Sequence, residues 1–139
     1  MSPKWSLLPL LPSLLIVACG ESGDDTGADA APVTFAELQE TVLVGSCGGA
    51  GCHGPATVAG GLLLEGDDAY DSLMNDPCEN ELAVAEGLLR VAPGDLDKSF
   101  LYVKVTDARG MGDPMPPWDS LDDAGIAMIR QWILDGARP

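Results

Sequence analysis

A chain of 139 residues with 22 acidic against 7 basic side chains carries a formal charge of −15. That balance excludes nucleic acid as a partner, because phosphate binding needs lysine and arginine patches that are missing here. The length allows one domain with a core of its own and not two substantial ones.

Residues 1–18 read as an export signal. Lys4 supplies a cationic start, and the apolar run from Leu7 to Val17 is too short, and too broken by Pro9 and Pro12, to serve as a permanent membrane span. Ile16-Val17-Ala18-Cys19 resembles the lipobox of bacterial lipoproteins, in which the cysteine becomes the lipidated first residue. The alternative is an ordinary secretory signal with an incidental cysteine. Residues 19–32 then form the expected lipidated Cys19 and an acidic linker. After Cys19 this stretch has no aromatic and no large aliphatic residue, so it buries too little apolar surface to offset the entropy of ordering. This arrangement predicts a domain anchored to a bacterial membrane by lipid, in the periplasm or at the cell surface, where thiols oxidise. Lys4 leaves with the signal, so the mature chain is more acidic still. Such a surface steers basic partners, and equally it serves solubility alone.

The domain, residues 33–139, opens with Thr34-Phe-Ala-Glu37, a capping box, with Val33 and Leu38 placed as a hydrophobic staple. Phe35, Leu38, Val42 and then Gly45 or Ser46 trace one helical face, and the helix is expected to end near Gly45, directly before Cys47. Gly54-Pro55 and Ala59-Gly60-Gly61 mark irregular backbone, and Leu62 to Leu64 is too brief to assign. Asp67 or Asp68 caps a short helix carrying Tyr70, Leu73 and Met74, stopped by Asn75-Asp76-Pro77. Residues 78 to 89 read as a loop with at most one helical turn, and Arg90 to Asp95 as a turn. Asp97 is the expected cap of a helix over Phe100 to Val105, whose β-branched content keeps a strand open. Gly110 to Trp118 is a loop rich in glycine and proline. Ser120-Leu-Asp-Asp123 is the expected capping box of a closing helix with Ile126, Ile129 and Ile133 on one face and Gly136 as its stop. The order is all-α, with little room for a sheet.

Within this frame lies Cys47-Gly-Gly-Ala-Gly-Cys-His53, with two of the four cysteines and the single histidine. Two cysteines followed at once by histidine are what covalent haem attachment requires: thiols for the vinyl groups, imidazole for the iron. The usual separation is two residues, and here it is four. Gly48, Gly49 and Gly51 make the longer insert sterically feasible, because glycine accepts positive φ and close backbone approach.

With the helix leading into Cys47, the Cys52-His53 pair, the Met115-Pro116-Pro117 loop and the closing helix from Ser120 to Gly136, residues 33–138 resemble a small class I-like monohaem c-type cytochrome domain, of the kind found in bacterial lipoproteins. The resemblance implies a cytochrome c-like fold in which the first and last helices cross beside the haem. It also implies Cys47 and Cys52 as thioether attachments, His53 as proximal ligand and Met115 as distal ligand of the haem iron. Prolines after Met115 stiffen its loop, whereas Met111, the competing distal ligand, is flanked by glycines. Met74 and Met128 read as packing residues.

Cys78 keeps three arrangements open. Two thioethers leave it unpaired, a Cys47–Cys78 disulfide leaves one thioether at Cys52, and a Cys47–Cys52 disulfide removes covalent haem. A zinc site from Cys47, Cys52, His53 and Cys78 is disfavoured because neighbouring Cys52 and His53 fit one tetrahedron poorly. Arg90 and Lys104 read as ion-pair partners or as neutralisers of a haem propionate, and Trp118 and Trp132 as core or haem-wall residues. The function expected is electron transfer on haem c between redox partner proteins, without catalysis. The alternative is a haem-free, disulfide-stapled lipoprotein module that binds a protein partner.

Overall fold

The expected capping box is formed where the chain enters its first helix. The Glu37 N–H donates to the Thr34 hydroxyl at 3.3 Å, and the Thr34 N–H donates to the Glu37 carboxylate at 2.9 Å. The Thr34 N–H, and after it the Thr34 hydroxyl, hold the Glu37 carboxyl below its usual range. A lowered carboxylate stabilises the fold above its ordinary pKa, and that contribution is lost as pH falls through the lowered value.

The computed structural model describes residues 31–139; the expected signal, Cys19 and the linker as far as residue 30 lie outside the described residues. After α1 (Phe35–Leu38) comes a wide π-type stretch, Gln39–Leu43, in which the Val44 N–H reaches back to the Gln39 carbonyl, and then α2 (Val44–Ser46). Phe35, Leu38 and Val42 are buried as the periodicity predicts. Gly45 and Ser46, expected to complete that face, are exposed, and Leu43 and Cys47 are buried instead. A π turn takes in one additional residue and so rotates the following positions by about 100° relative to a continuous α-helix. The helix therefore runs one residue further than expected and turns Cys47 inward.

The remaining helices are α3 (Ala69–Met74), α4 (Glu81–Ala85), α5 (Phe100–Thr106) and α6 (Asp123–Leu134), with single 3₁₀ turns at Ala59–Gly61 and Ala108–Gly110. Among the described residues there is no strand, only isolated bridges between Leu89 and Ser99 and between Ala92 and Asp95. The chain is helical, as expected at that level.

Several boundaries differ from the expected ones. In the stretch read as loop with at most one helical turn, that turn is α4: the Asn80 side chain accepts from Ala83 N–H at 3.0 Å and starts it, and its short run buries only Ala83. The cap position of α5 is Ser99, not Asp97, and the segment is helix rather than strand. Ser99 is fully buried, and its hydroxyl accepts from Ala92 N–H at 2.9 Å and donates to the Asp95 carbonyl at 2.6 Å, which ties the Arg90–Asp95 turn to the helix start. At α6 the cap is Asp122, which accepts from Gly125 N–H at 2.8 Å, in place of the Ser120–Asp123 box. The shift lets Leu121 bury itself over Gly125, where a Cβ would stand 2.9 Å from the Leu121 side chain. For α3, Asp68 holds the cap position without a side-chain bond.

The core lies where the first helix packs against α6. The Phe35 ring is 5.6 Å from the Trp132 ring and 5.2 Å, edge-on, from Tyr70. Trp132 is fully buried and donates its indole N–H to the Arg138 carbonyl at 2.7 Å, while the Tyr70 hydroxyl donates to the Ala137 carbonyl at 3.0 Å. Gly136, at φ +95, turns the chain out of α6 so that Ala137 N–H bonds back to the Trp132 carbonyl at 2.8 Å. Among the described residues no helix is long and apolar enough to cross a membrane.

Candidate functional site

The site begins where α2 releases the chain at Cys47. The four-residue insert closes on itself: His53 N–H donates to the Cys47 carbonyl at 3.1 Å, and Gly49 and Gly51 take φ of +85 and +98. Gly48 is required for a different reason, since a Cβ there would stand 2.9 Å from the Val44 carbonyl oxygen. Two side chains brace the loop from outside. Glu65 accepts from Gly49 N–H at 3.0 Å and Thr57 from Gly51 N–H at 2.9 Å. Neither brace has a sequence signal, because each answers a backbone amide whose direction only the folded loop defines.

His53 is held by both its backbone and its ring. Its carbonyl accepts from Leu64 N–H at 2.8 Å, and Nδ1 lies 3.2 Å from the Leu62 carbonyl oxygen. A carbonyl only accepts, so in the neutral ring the proton sits on Nδ1 and the Nε2 lone pair is left for a metal.

A cavity of about 470 Å³ opens beside this loop, within the roughly 300–1,000 Å³ of small-molecule and cofactor sites. Cys47, Cys52 and His53 line it, and so do Cys78, Met115, Pro116 and Pro117 from other parts of the chain. Its walls are largely apolar: Leu62, Leu64, Leu73, Phe100, Leu101 and Val105. Arg90 and Lys104 bring positive charge to it and Glu79 negative. Arg90 is only 6% exposed; it donates to the Ser72 carbonyl at 2.7 Å and the Gly61 carbonyl at 3.0 Å, and pairs with the more exposed Asp76 at 3.4 Å. It is thus the expected structural cation, and one that faces the cavity.

The two methionines expected to compete are separated. Met115 lines the cavity. Met111 is 1% exposed and packs with Ala83, Leu88 and Val103 in a second, smaller apolar cluster. Met74 and Met128 pack against the main core. Of the two tryptophans read as core or haem-wall residues, Trp132 is core, whereas Trp118 is not core: it is 92% exposed and lines the edge of the cavity.

Cys47, Cys52 and Cys78 are all free thiols that line the one cavity, and no disulfide joins them. Among the described residues no three His, Cys, Asp or Glu side chains converge as a metal-binding group. Burial, and after it the neighbouring Cys52, pushes the Cys47 thiol up from an ordinary 9.0 to about 11. Only the thiolate is nucleophilic, so a rise of that size lowers the reactive fraction about 100-fold near neutral pH. Iodoacetamide at pH 8 is therefore expected to label Cys47 far more slowly in the folded, haem-free chain than in urea. Peptide mass spectrometry measures both rates, and equal rates would show Cys47 to be accessible.

This donor set fits covalently held haem: two thiols for vinyl carbons, an imidazole with a free Nε2, a thioether sulfur, and apolar walls. Comparison with protein-family models, with curated proteins and with solved structures finds no match to this chain.

Proposed function

We propose that the protein is an exported electron-transfer protein that carries one electron on a covalently bound haem c. On this reading it is lipid-anchored through Cys19 in the periplasm or at the cell surface. The observation that carries the reading is that Cys47, Cys52, His53 and Met115, from two distant parts of the chain, line one apolar cavity. The first helix packed across α6 through Phe35 and Trp132 supports the cytochrome c-like arrangement of the domain.

Bound there, haem c supplies a one-electron couple whose potential the axial ligands and the surrounding dielectric set. The chain does the rest. Cys47 and Cys52 would attach the ring, and His53, oriented by the Leu62 carbonyl, would present Nε2. Met115 presents sulfur, which raises the potential relative to a second histidine. The leucines, Phe100 and Val105 keep water from the ring. With His53 and Met115 both holding the iron, the protein would act as a carrier and not as an enzyme. Its redox partners are proteins, and the acidic surface favours basic ones.

The deciding experiment is expression in a host with cytochrome c maturation. The expected product is red, with sharp absorption bands on reduction and a mass raised by one haem that survives denaturation. Cys52→Ser is expected to remove at least one of the two attachments. A colourless, folded wild-type protein would remove the haem reading and leave the disulfide module.

A further inference from the structure

Lys104 sits in the last turn of α5, the helix that also contributes Phe100, Leu101 and Val105 to the cavity wall. It touches the methionine loop at three points. Its carbonyl accepts from Met115 N–H at 2.7 Å, and its Nζ donates to the Met111 carbonyl at 3.4 Å and to the Asp113 carbonyl. The ammonium also lies 5.8 Å from the centre of the Phe100 ring. Asn80, from the start of α4, adds a bond to the same Met111 carbonyl at 3.2 Å. Gly110 and Gly112, both at positive φ, give this loop little stiffness of its own.

A surface lysine ordinarily keeps its ammonium in water, and a partly buried one that spends its donors on backbone carbonyls is fixing the shape of that backbone. An ammonium that stays charged there needs the carbonyl oxygens around it. The loop and the lysine thus stabilise one another, and the residue whose own amide is tied to the same helix turn is Met115.

We propose that Lys104 is the positioning residue for Met115, holding the Gly110–Met115 loop against α5 so that the thioether stays on the cavity. This rests on the reading of Met115 as the distal ligand of a bound haem. The lysine does not touch the iron; it acts through the loop. The bond from Met115 N–H to the Lys104 carbonyl survives any side-chain substitution, so variants report on the ammonium alone.

The test uses the full haem-loaded protein as wild type, Lys104→Met and Lys104→Arg. The readouts are the weak methionine–ferric-iron band at the red end of the spectrum and the affinity for added imidazole, which competes with the methionine. Losing a charge-assisted bond or two is expected to weaken the band and to raise imidazole affinity about tenfold in Lys104→Met. Lys104→Arg, which keeps donors for both carbonyls, is expected to restore both readouts toward wild type. An unchanged band and unchanged imidazole affinity in Lys104→Met would overturn the positioning role and leave the ligand assignment standing. A wild-type holoprotein without the methionine band would overturn the ligand assignment, and this inference with it.

Discussion

Met115→Ala is expected to abolish the methionine–ferric-iron band and to lower the reduction potential by on the order of 0.1 V, within the roughly 0.8 V range that axial ligation spans. On the proposed reading, removing the thioether would open the iron to water or to an added ligand, so imidazole is expected to bind much more tightly than in wild type. Met111→Ala is expected to leave both the band and the imidazole affinity in place. Its side chain is buried among Ala83, Leu88 and Val103 and takes no part in the cavity. What Met111→Ala is expected to lose is stability, by about 2–5 kcal/mol for a buried methionine truncated to alanine. Visible spectra and urea unfolding of the two variants separate these roles. A Met115→Ala protein that keeps the band would move the distal role to another residue.

Trp132→Ala is expected to destabilise the domain by about 3–5 kcal/mol, the cost of deleting a buried aromatic side chain. The same change removes one of the two aromatic rings against Phe35, leaving Tyr70 alone, and leaves the Arg138 carbonyl without the indole N–H. Against a total stability of about 5–15 kcal/mol such a loss approaches unfolding. With m of roughly 2 kcal/mol/M, the urea midpoint should fall by about 2 M. Trp118→Ala is the matched control, and being 92% exposed it should change stability by no more than about 0.5 kcal/mol. Equal losses in the two variants would contradict the burial of Trp132 against Phe35.

Much of this was legible before folding. Thr34-Phe-Ala-Glu37 forms the box its residue types demand, because a capping box closes within one turn and needs nothing from elsewhere. The order of helices, the stop at Gly136 and the need for glycine at positions 49 and 51 are local in the same sense. Where two nearby residues qualified as caps, local chemistry did not choose between them. Asp122 prevailed over Ser120 because that frame buries Leu121 over Gly125, and Ser99 over Asp97 because the Ser99 hydroxyl is claimed by the turn at Ala92 and Asp95.

By itself the sequence determined the residue types that the proposed haem would need: two thiols and an imidazole at Cys47 to His53, and two methionines in one later loop. Tertiary structure alone decided which of those groups share a cavity. The π turn at Gln39–Leu43 rotates the end of the first helix by one residue and turns Cys47 inward, which a constant helical period does not anticipate. The choice of Met115 over Met111 for the cavity is made by contacts with α5 and the smaller apolar cluster, all remote in sequence from the haem-like motif. Local rules reach over about one turn of chain, whereas a site assembled from both ends of a domain depends on packing between helices that no short segment encodes.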